Sequence, residues 1–437
     1  MAVAARTEDS VANGKPQRVR LTAERLVGGG VAIAHALGAT WMLAGALDGE
    51  QVDAEAVVER AGVVHGRTLE VVHNPHPARL TQPCPHAAFC GGCDWPHVDP
   101  IAGSRLKAAV AAGAARASSD LATRLAEAPV RSSPPSYRLR SRLHWDPRRG
   151  HLGFYKPRTW ETVDITGCRI TSPRLTNTIA ALEEALAGSC PEAADLEWLE
   201  DLRGATAVAA LRPARSGAPE VDPDRVPVKT AAAALVDGFH VLTRSGRLQP
   251  VWGAQTVTMD LPVSLKVPIG AFFQVNRHLV PWLFRRVQEL VGESPKPVWD
   301  LHAGVGFLAA AALAAAPREL TLVEPFRPAA RAAAANLPEA RVAIGRSAEA
   351  YLARHPSLPR DAVALTDPPR AGLSRSLRRQ LAAWHPARVL MLACDPATWA
   401  RDAAALIAAG YSLTHLELVD LFPSTHHVEI LAVLESR

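Results

Sequence analysis

The sequence predicts an α/β protein in which a parallel sheet with helices on both faces follows two regions dominated by short strands. From Pro297 onward, hydrophobic strand-like segments alternate with Ala-rich helical segments, a period typical of a parallel sheet wrapped by helices. Earlier in the chain, short alternating segments are separated by Gly and Asp-Gly turns, which favours other β-structure. These patterns predict three domains, at residues 17–74, 75–250 and 251–437.

Composition and charge are those of a folded protein of several domains. The chain has 437 residues, of which 48% are hydrophobic and 21% charged, and this excludes a wholly disordered protein. Its 48 Lys and Arg against 43 Asp and Glu leave a net charge of +5, which permits a nucleic-acid partner without requiring one. Residues 1–16 are predicted to be a disordered lead.

The sequence shows no export or membrane segment. Met1 to Gln17 contains Glu8 and Asp9 and no apolar stretch of signal-peptide length. The longest apolar run, Phe307–Ala316, is shorter than the roughly 20 residues that span a bilayer. We therefore expect a cytoplasmic protein without a membrane partner, whose six cysteines stay reduced and serve metal binding, catalysis or packing.

Residues 17–74 predict a small five-stranded β-barrel. Arg18, Arg20 and Arg25 would give the barrel a modest basic face. Small barrels of this kind include nucleic-acid binders and many proteins that bind none. Both interpretations stay open on the sequence of this region.

The middle region, residues 75–250, combines a Pro- and Cys-rich loop, one helix at 101–128, a second at 172–187, and several strands. Its segment from 131 to 158 interleaves arginines with Tyr137, Trp145, Phe154 and Tyr155. Guanidinium and aromatic groups side by side suit phosphates and unstacked bases. An RNA-binding surface and a solvated strand face over a core fit the pattern equally well.

A glycine-rich turn opens the C-terminal sheet. Asp300 ends a hydrophobic strand, Gly304 and Gly306 follow, and Glu324 ends the next strand. Glycines there allow close approach of a ligand to the backbone, and a carboxylate in that position can accept hydrogen bonds from a ribose diol. This arrangement predicts a nucleotide-like cofactor and does not distinguish a dinucleotide from S-adenosylmethionine.

Three further polar groups are predicted at strand ends. Asp367 precedes two prolines, a motif typical of methyltransferases that act on a planar nitrogen base. Cys394 lies between a strand and a helix, where a thiolate nucleophile is favoured over a buried packing residue. Glu429 begins the last strand and is a candidate general base, although alone it would be assigned a structural role.

Together these motifs resemble the RNA 5-methyluridine methyltransferases (the TrmA/RlmC/RlmD family). The family's Phe-x-Gln-Val-Asn segment is matched at 272–276, its Ser-Cys-Asn-Pro segment at 393–396, and its closing segment by DLFPSTHHVE at 420–429. The resemblance covers about Gln17 to Glu429 and is weakest between Ile179 and Pro262. It implies a Rossmann-like class I methyltransferase domain, preceded by a small OB-like barrel termed a TRAM domain.

The resemblance also implies roles for individual residues. Cys394 would be the nucleophile and Glu429 the base. S-adenosylmethionine would contact Gln274, His302, Glu324 and Asp367. The thiolate would add to carbon 6 of uracil, the resulting enolate would take the methyl group, and the base would remove the carbon-5 proton.

Some positions depart from the family pattern. His302 and Ala303 replace an aromatic residue and Cys, Phe307 stands where Thr or Asn is common, and Ser347 where an acidic residue or Asn is common. Because Cys394 and Glu429 are both present, we expect an active enzyme. A non-catalytic RNA-binding or assembly factor, and a cytosine-5 RNA methyltransferase, are the alternatives.

Four cysteines have a spacing that suits a metal site. Cys84, Cys90 and Cys93 are clustered and Cys168 follows much later, a set that can hold a [4Fe–4S] cluster or zinc. The family resemblance implies the [4Fe–4S] cluster, with Cys190 left as a packing cysteine. We expect a monomer that acts on ribosomal or transfer RNA, and the iron–sulfur motif favours ribosomal RNA by analogy.

Overall fold

The computed structural model describes residues 18–187, 190, 192–214, 218–225, 235–355 and 358–437. The predicted disordered lead at 1–16 lies outside the described residues. Within these residues four β-sheets organise the chain. None of the described helices is both long and apolar enough to cross a membrane.

The N-terminal sheet has six strands rather than the predicted five. The strands are Arg18–Thr22 (β1), Arg25–Val27 (β2), Val31–Ala36 (β3), Ala39–Ala44 (β4), Gln51–Arg60 (β5) and Val63–His73 (β6). They pair in the order β1-β5-β6-β4-β3-β2. The first predicted strand is interrupted at Ala23 and Glu24, whose backbone N–H groups donate to the carbonyls of Glu50 and Ile33, on opposite neighbours. Because β1 and β2 lie at opposite ends of the pairing order but are joined by these two residues, the sheet curls round on itself.

The helical region after the Cys-rich loop belongs structurally with the C-terminal sheet. It forms two helices, Ser104–Ala114 (α1) and Ser119–Glu127 (α2), and the short strand Val130–Arg131 (β7). The sequence predicts one continuous helix over 101–128. Apolar side chains of α1 and α2 pack in the same core as the C-terminal strands, and β7 pairs with the strand Tyr411–Val419. Residues 104–131, which the sequence assigns to the middle domain, therefore pack with the C-terminal sheet.

The middle sheet has seven strands, with one 3₁₀ turn at Pro223–Arg225 in the described part of this region. The strands are Arg140–Asp146 (β8), His151–Tyr155 (β9), Thr162–Asp164 (β10), Ala194–Glu200 (β11), Ala207–Pro213 (β12), Gly238–Leu242 (β13) and Leu248–Gly253 (β14). They pair in the order β10-β9-β8-β11-β12-β13-β14. The helix Pro173–Ala187 (α3) covers one face. Tyr137, Trp145 and Phe154 pack in the core below that helix, so these three aromatics are not part of a surface.

The C-terminal region contains the predicted alternation of strands and helices. A hairpin, Thr256–Met259 (β15) and Leu265–Pro268 (β16), and the helix Val280–Val291 (α4) come first. Parallel strands and helices then alternate. They are Val298–Asp300 (β17), Phe307–Ala315 (α5), Leu320–Glu324 (β18), Arg327–Asn336 (α6), Arg341–Ile344 (β19), Ala348–Leu352 (α7), Val363–Thr366 (β20), Arg375–Trp384 (α8), Arg388–Ala393 (β21) and Pro396–Ala408 (α9).

Two antiparallel partners complete this sheet. Tyr411–Val419 (β22) and Glu429–Ser436 (β23) give the order β19-β18-β17-β20-β21-β23-β22-β7. The last strand lies between β21 and β22 and is antiparallel to both. Apolar cores fill both faces of the sheet, as expected for a mostly parallel sheet covered by helices.

Candidate active site

The candidate residues of the C-terminal region converge at one edge of its sheet. His302 follows β17, Glu324 ends β18, Asp367 follows β20 and Cys394 follows β21. All four strands run in parallel, so their carboxyl ends meet at the same edge. Ligands of open α/β sheets bind at this edge.

A glycine loop and Glu324 form one half of the site. Gly304 has φ +53° and Gly306 φ +94°, a backbone conformation that side chains disfavour. The Gly304 N–H donates to Glu324 Oε2 at 2.8 Å, and the Phe326 N–H donates to Glu324 Oε1 at 2.7 Å. A Cβ on Gly304 would meet no atom within 4 Å. The loop is therefore an open cradle beside an oriented carboxylate, which suits a ligand with a hydroxylated sugar.

Gln274 and Asp367 are joined directly at this edge. Gln274 Nε2 donates to Asp367 Oδ2 at 2.9 Å, and burial raises the pKa of Asp367 to about 7. His302 shares a hydrogen bond with Thr366 Oγ1 at 2.8 Å from Nδ1. Burial lowers the pKa of His302 to about 4, so its ring is neutral at physiological pH.

Asp300 is a further carboxyl at the candidate site, and the sequence motifs did not single it out. Its side chain is fully buried, and its Oδ2 has no hydrogen-bond partner among the described residues. Burial, together with Asp367 and Glu324, raises the pKa of Asp300 to about 8. The available signal was an acidic residue that ends a buried strand directly before the glycine turn.

Cys394 and Glu429 occupy facing positions on neighbouring strands. Ala393 of β21 pairs with Ile430 of β23, so the antiparallel register puts the next residues, Cys394 and Glu429, opposite each other. Burial, then the carboxyls of Glu429 and Asp367, raise the pKa of Cys394 to about 12. Burial and Asp367 also raise the pKa of Glu429 well above its usual value. In this state the Cys394 thiol is protonated near neutral pH, and ionisation of the Glu429 carboxyl is disfavoured.

The chain immediately before Glu429 is held by contacts from distant parts of the protein. The buried Lys107 of α1 pairs with Asp420 and donates to the carbonyl of His427 at 2.8 Å. The backbone N–H of Trp95 donates to the carbonyl of Ser424 at 3.0 Å. We name residues 420–428 the Glu429 loop. Lys107 was also missed by the sequence reasoning, although a lysine among the apolar residues of a helix is a signal of a buried partner.

Further contacts connect the Glu429 loop to the Cys-rich segment and the middle domain. The side chain of His426 bonds to Asp94, the residue after Cys93. Tyr137 Oη donates to the carbonyl of Pro423 at 3.2 Å. The loop is therefore fixed by residues that lie hundreds of positions away in the sequence.

The four cysteines predicted as metal ligands come together. They line one cavity with Phe154 and other side chains. A Cβ on Gly91 would lie 2.8 Å from the carbonyl oxygen of Tyr155, so the loop needs glycine to approach β9. Nevertheless, the described residues contain no group of three or more His, Cys, Asp or Glu side chains arranged to hold a metal ion. The set is Cys84, Cys90, Cys93 and Cys168, and Cys190 packs in the middle core.

Comparisons with known proteins find relatives along nearly the whole chain. The 23S rRNA (uracil(1939)-C(5))-methyltransferase RlmD of Pseudomonas fluorescens Pf0-1 is 32% identical over 445 residues, which cover 98% of this chain and 93% of that protein. The protein of the same name from Pseudomonas entomophila is 31% identical, with 97% and 94% covered. A family model described as tRNA (Uracil-5-)-methyltransferase matches residues 360–437.

One solved structure shares the fold over nearly the whole chain. It is the Pyrococcus abyssi tRNA (uracil-54, C5)-methyltransferase in complex with S-adenosyl-L-homocysteine. The likeness has a TM-score of 0.72 at 21% identity and covers 95% of this chain and 99% of that one. The comparison therefore extends to the N-terminal and middle regions as well as the C-terminal sheet.

Proposed function

The chain belongs to the RNA 5-methyluridine methyltransferases, which are S-adenosylmethionine-dependent enzymes, and we propose that it methylates carbon 5 of a uridine in ribosomal RNA. The observation that supports this function best is the facing pair Cys394 and Glu429. The pair lies at the same sheet edge as the glycine loop and Glu324. A nucleophile, a base and a cradle for a nucleoside are the parts that this reaction needs.

S-adenosylmethionine would lie along the glycine loop. The open space above Gly304 accommodates it, and the Glu324 carboxylate, fixed by two backbone donors, would accept hydrogen bonds from the ribose hydroxyls. Gln274, Asp367 and the neutral His302 would contact the rest of the molecule. Its positive sulfonium would favour ionisation of the carboxyl groups at this edge, whose pKa values burial raises.

Cys394 would act as the nucleophile in a covalent mechanism. Its sulfur donates an electron pair to carbon 6 of uracil, and the ring becomes an enolate whose carbon 5 attacks the methyl group. S-adenosylhomocysteine leaves with the sulfonium electron pair. Glu429 then takes the proton from carbon 5, the carbon–sulfur bond breaks, and the thiolate is released.

The raised pKa of Cys394 requires activation by the bound reactants. In the ligand-free protein the thiol is held protonated by burial and by neighbouring carboxyls, whereas the nucleophile is the thiolate. Arg370 already favours the thiolate. The positive charge of the cosubstrate would act in the same direction, so we propose that thiolate forms mainly in the complete complex.

The cysteine-lined cavity is the proposed site of a [4Fe–4S] cluster. Four thiols around one cavity and none in a disulfide are the donor set that such a cluster needs. When bound, the cluster would tie the Cys-rich loop to the middle domain. The curled N-terminal sheet would correspond to the TRAM-like domain and contact RNA.

The RNA target can be determined from a strain that lacks the gene. We expect nucleoside mass spectrometry of its ribosomal RNA to show loss of one 5-methyluridine, restored by the wild-type protein and not by Cys394→Ala. Transfer RNA from the same cells serves as the control. Loss of 5-methyluridine from transfer RNA alone would contradict the ribosomal target, and loss of 5-methylcytidine would contradict the uridine specificity.

A further inference from the structure

An excess of positive charge lies on the face of the middle sheet that points away from α3. Arg140, Arg142 and Arg212 surround Glu197, with nitrogen–oxygen distances of 3.5, 2.8 and 2.9 Å. Glu197 is buried, whereas the side chains of Arg142 and Arg212 are 48% and 30% exposed. Glu197 and Asp195 supply two negative charges on this face against three guanidinium groups, so its net charge stays positive and the exposed parts of Arg142 and Arg212 attract anions.

Stacked aromatic side chains continue the same face. The rings of His144 and Tyr155 are stacked with centroids 3.6 Å apart, and Trp160 packs edge-on against Tyr155 at 5.4 Å. The Nδ1 atom of His144 pairs with Asp195 Oδ1 at 2.7 Å. Trp160 is nevertheless 69% exposed. A tryptophan that rests on an ordered stack and still faces solvent indicates a binding surface more than a lone surface residue does.

The turn that carries Trp160 is well ordered. The Lys156 N–H donates to the carbonyl of Glu161 at 2.8 Å, and the Glu161 N–H donates to Thr159 Oγ1 at 3.1 Å. The Glu161 carboxylate pairs with Lys156 and Arg149. These contacts close the connection between β9 and β10, so the indole is presented in a defined position at low entropic cost on binding.

This surface leads away from the candidate active site along β8. The Leu139 N–H donates to the carbonyl of Val275 at 3.0 Å, and Val275 follows Gln274, the partner of Asp367. With a rise of about 3.3 Å per residue, Arg142 lies about 10 Å and His144 about 17 Å along the strand from Leu139. A nucleic acid that entered the active site would have its neighbouring nucleotides within reach.

We propose that the Trp160 patch (Arg142, His144, Tyr155, Trp160 and Arg212) binds a single-stranded stretch of the substrate RNA next to the target uridine. An unpaired base stacks on Trp160, and phosphates pair with Arg142 and Arg212. Bases stack on aromatic side chains independently of sequence, and arginines contribute the salt-dependent phosphate contacts. The proposal rests on the proposed function, because it takes the RNA substrate as the occupant.

The test measures binding of the full-length protein to a fluorescently labelled single-stranded oligoribonucleotide by anisotropy. Trp160→Ala should weaken binding at least about fivefold, since stacking of one base contributes about that much or more, and Trp160→Phe should retain most of the affinity. Ile101→Ala removes another strongly exposed hydrophobic side chain and is the matched control. Melting temperature and S-adenosylmethionine affinity verify that each variant is folded.

Salt dependence separates the two kinds of contact. Arg142→Ala should lower the slope of log Kd against log salt by the amount that one phosphate contact contributes. Trp160→Ala should leave the slope unchanged. Arg203→Ala, at a strongly exposed ion pair on a different turn, should change neither affinity nor slope. In addition, RNA with 4-thiouridine should crosslink to a peptide that contains Trp160.

The outcomes distinguish the patch from the proposed function. Unchanged RNA affinity in Trp160→Ala, with no crosslink near Trp160, would overturn the patch and leave the methylation proposal intact. A change in sedimentation of Trp160→Ala without any effect on RNA would instead identify an interface between copies of the chain, and would also overturn it. If the wild type bound RNA through this patch but methylated no uridine, only the proposed function would fail.

Discussion

The half-buried Cys394 and the buried Glu429 face each other at the site where we propose that an RNA base is methylated. Glu429 has almost no exposed surface, and neighbouring carboxyls disfavour ionisation of either group. A protonated thiol resists oxidation and modification. We therefore expect the thiol to be unreactive in the ligand-free protein.

Variants of the two residues should fail at different steps. Cys394→Ala should bind RNA and S-adenosylmethionine but transfer no methyl group, because no enolate forms without addition at carbon 6. Glu429→Gln should transfer the methyl group and then stall before proton removal, which leaves RNA attached to Cys394 as a denaturant-resistant band of low mobility. The double variant is the control and should lack the band.

Two results would contradict this assignment. Wild-type turnover by Cys394→Ala would exclude the covalent mechanism. Free turnover by Glu429→Gln without a trapped species would remove only the base assignment, and Asp420 or His427 in the Glu429 loop would then be the next candidates.

Alkylation of the ligand-free enzyme should report the pKa of Cys394. Because that pKa is raised to about 12, the thiolate fraction and the rate of reaction with iodoacetamide should rise about tenfold per pH unit up to pH 10. Glu429→Gln removes a carboxyl that raises this pKa and should speed the reaction at alkaline pH. Mass spectrometry of the peptide that contains Cys394 provides the rate. A reaction rate that reached a plateau below pH 9 would contradict the raised pKa of Cys394.

At the scale of elements, a buried lysine of α1 adds polar contacts between that helix and the Glu429 loop. Lys107 pairs with Asp420 and also donates to the carbonyl of Phe422 at 3.1 Å. Lys107→Met keeps the length of the side chain but leaves a buried carboxyl without its partner. Loss of one member of such a pair costs about 3–5 kcal/mol of unfolding free energy.

Urea denaturation should show this loss, with Lys266→Met at an exposed position as the control with little effect. Because Asp420 begins the Glu429 loop, methyl transfer should decline as well. An unchanged midpoint for Lys107→Met would show that the pair is not formed in solution.

The Cys-rich loop is the second element whose role can be tested separately from catalysis. We expect anaerobically purified protein to be brown, with broad visible absorbance that fades in Cys90→Ser, since four thiolates are needed for a robust [4Fe–4S] site. Cys190→Ser, outside the cysteine-lined cavity, should keep the colour. Stoichiometric zinc in a colourless protein would contradict the cluster.

At the scale of the whole molecule, the active edge concentrates carboxyl groups that prefer to be neutral. The pKa of Asp367 is raised to about 7 and that of Asp300 to about 8, and that of Glu324 is also raised. Each of these carboxyls has a higher pKa in the folded protein than in the unfolded chain. At pH values between those two pKa values, the folded protein binds more protons than the unfolded chain. Stability of the ligand-free enzyme contributed by these groups should therefore fall as pH rises from about 4 to about 8.

Affinity for the cosubstrate should change in the opposite direction. S-adenosylmethionine carries a sulfonium charge, so ionisation of Asp367 and Asp300 should tighten its binding between pH 6 and pH 8. S-adenosylhomocysteine, which lacks that charge, should show a smaller change, and Asp367→Asn should reduce the pH dependence for both. Calorimetric titration at several pH values measures this. Equal pH dependence for the two ligands would contradict the electrostatic argument.

The sequence by itself determined the local architecture of the catalytic edge. The strand preceding Cys394 and the helix following it are encoded together: Asp395 caps α9 by accepting a hydrogen bond from the Thr398 N–H at 2.8 Å, and Pro396 begins that helix. The glycine turn after β17 has positive φ values at Gly304 and Gly306. Such features depend on a few adjacent residues, because backbone dihedral preferences and capping are local properties.

Only the tertiary structure decided which of these pieces meet. The pairing of β21 with β23 sets Cys394 opposite Glu429, the Lys107–Asp420 pair joins residues 313 positions apart, and β7 joins a sheet that the sequence assigned to another domain. The alternation of Arg and aromatic residues at 131–158 left open which side chains are buried, and packing under α3 buried Tyr137, Trp145 and Phe154. Register and burial depend on the free energy of contacts between distant segments, which no local pattern contains.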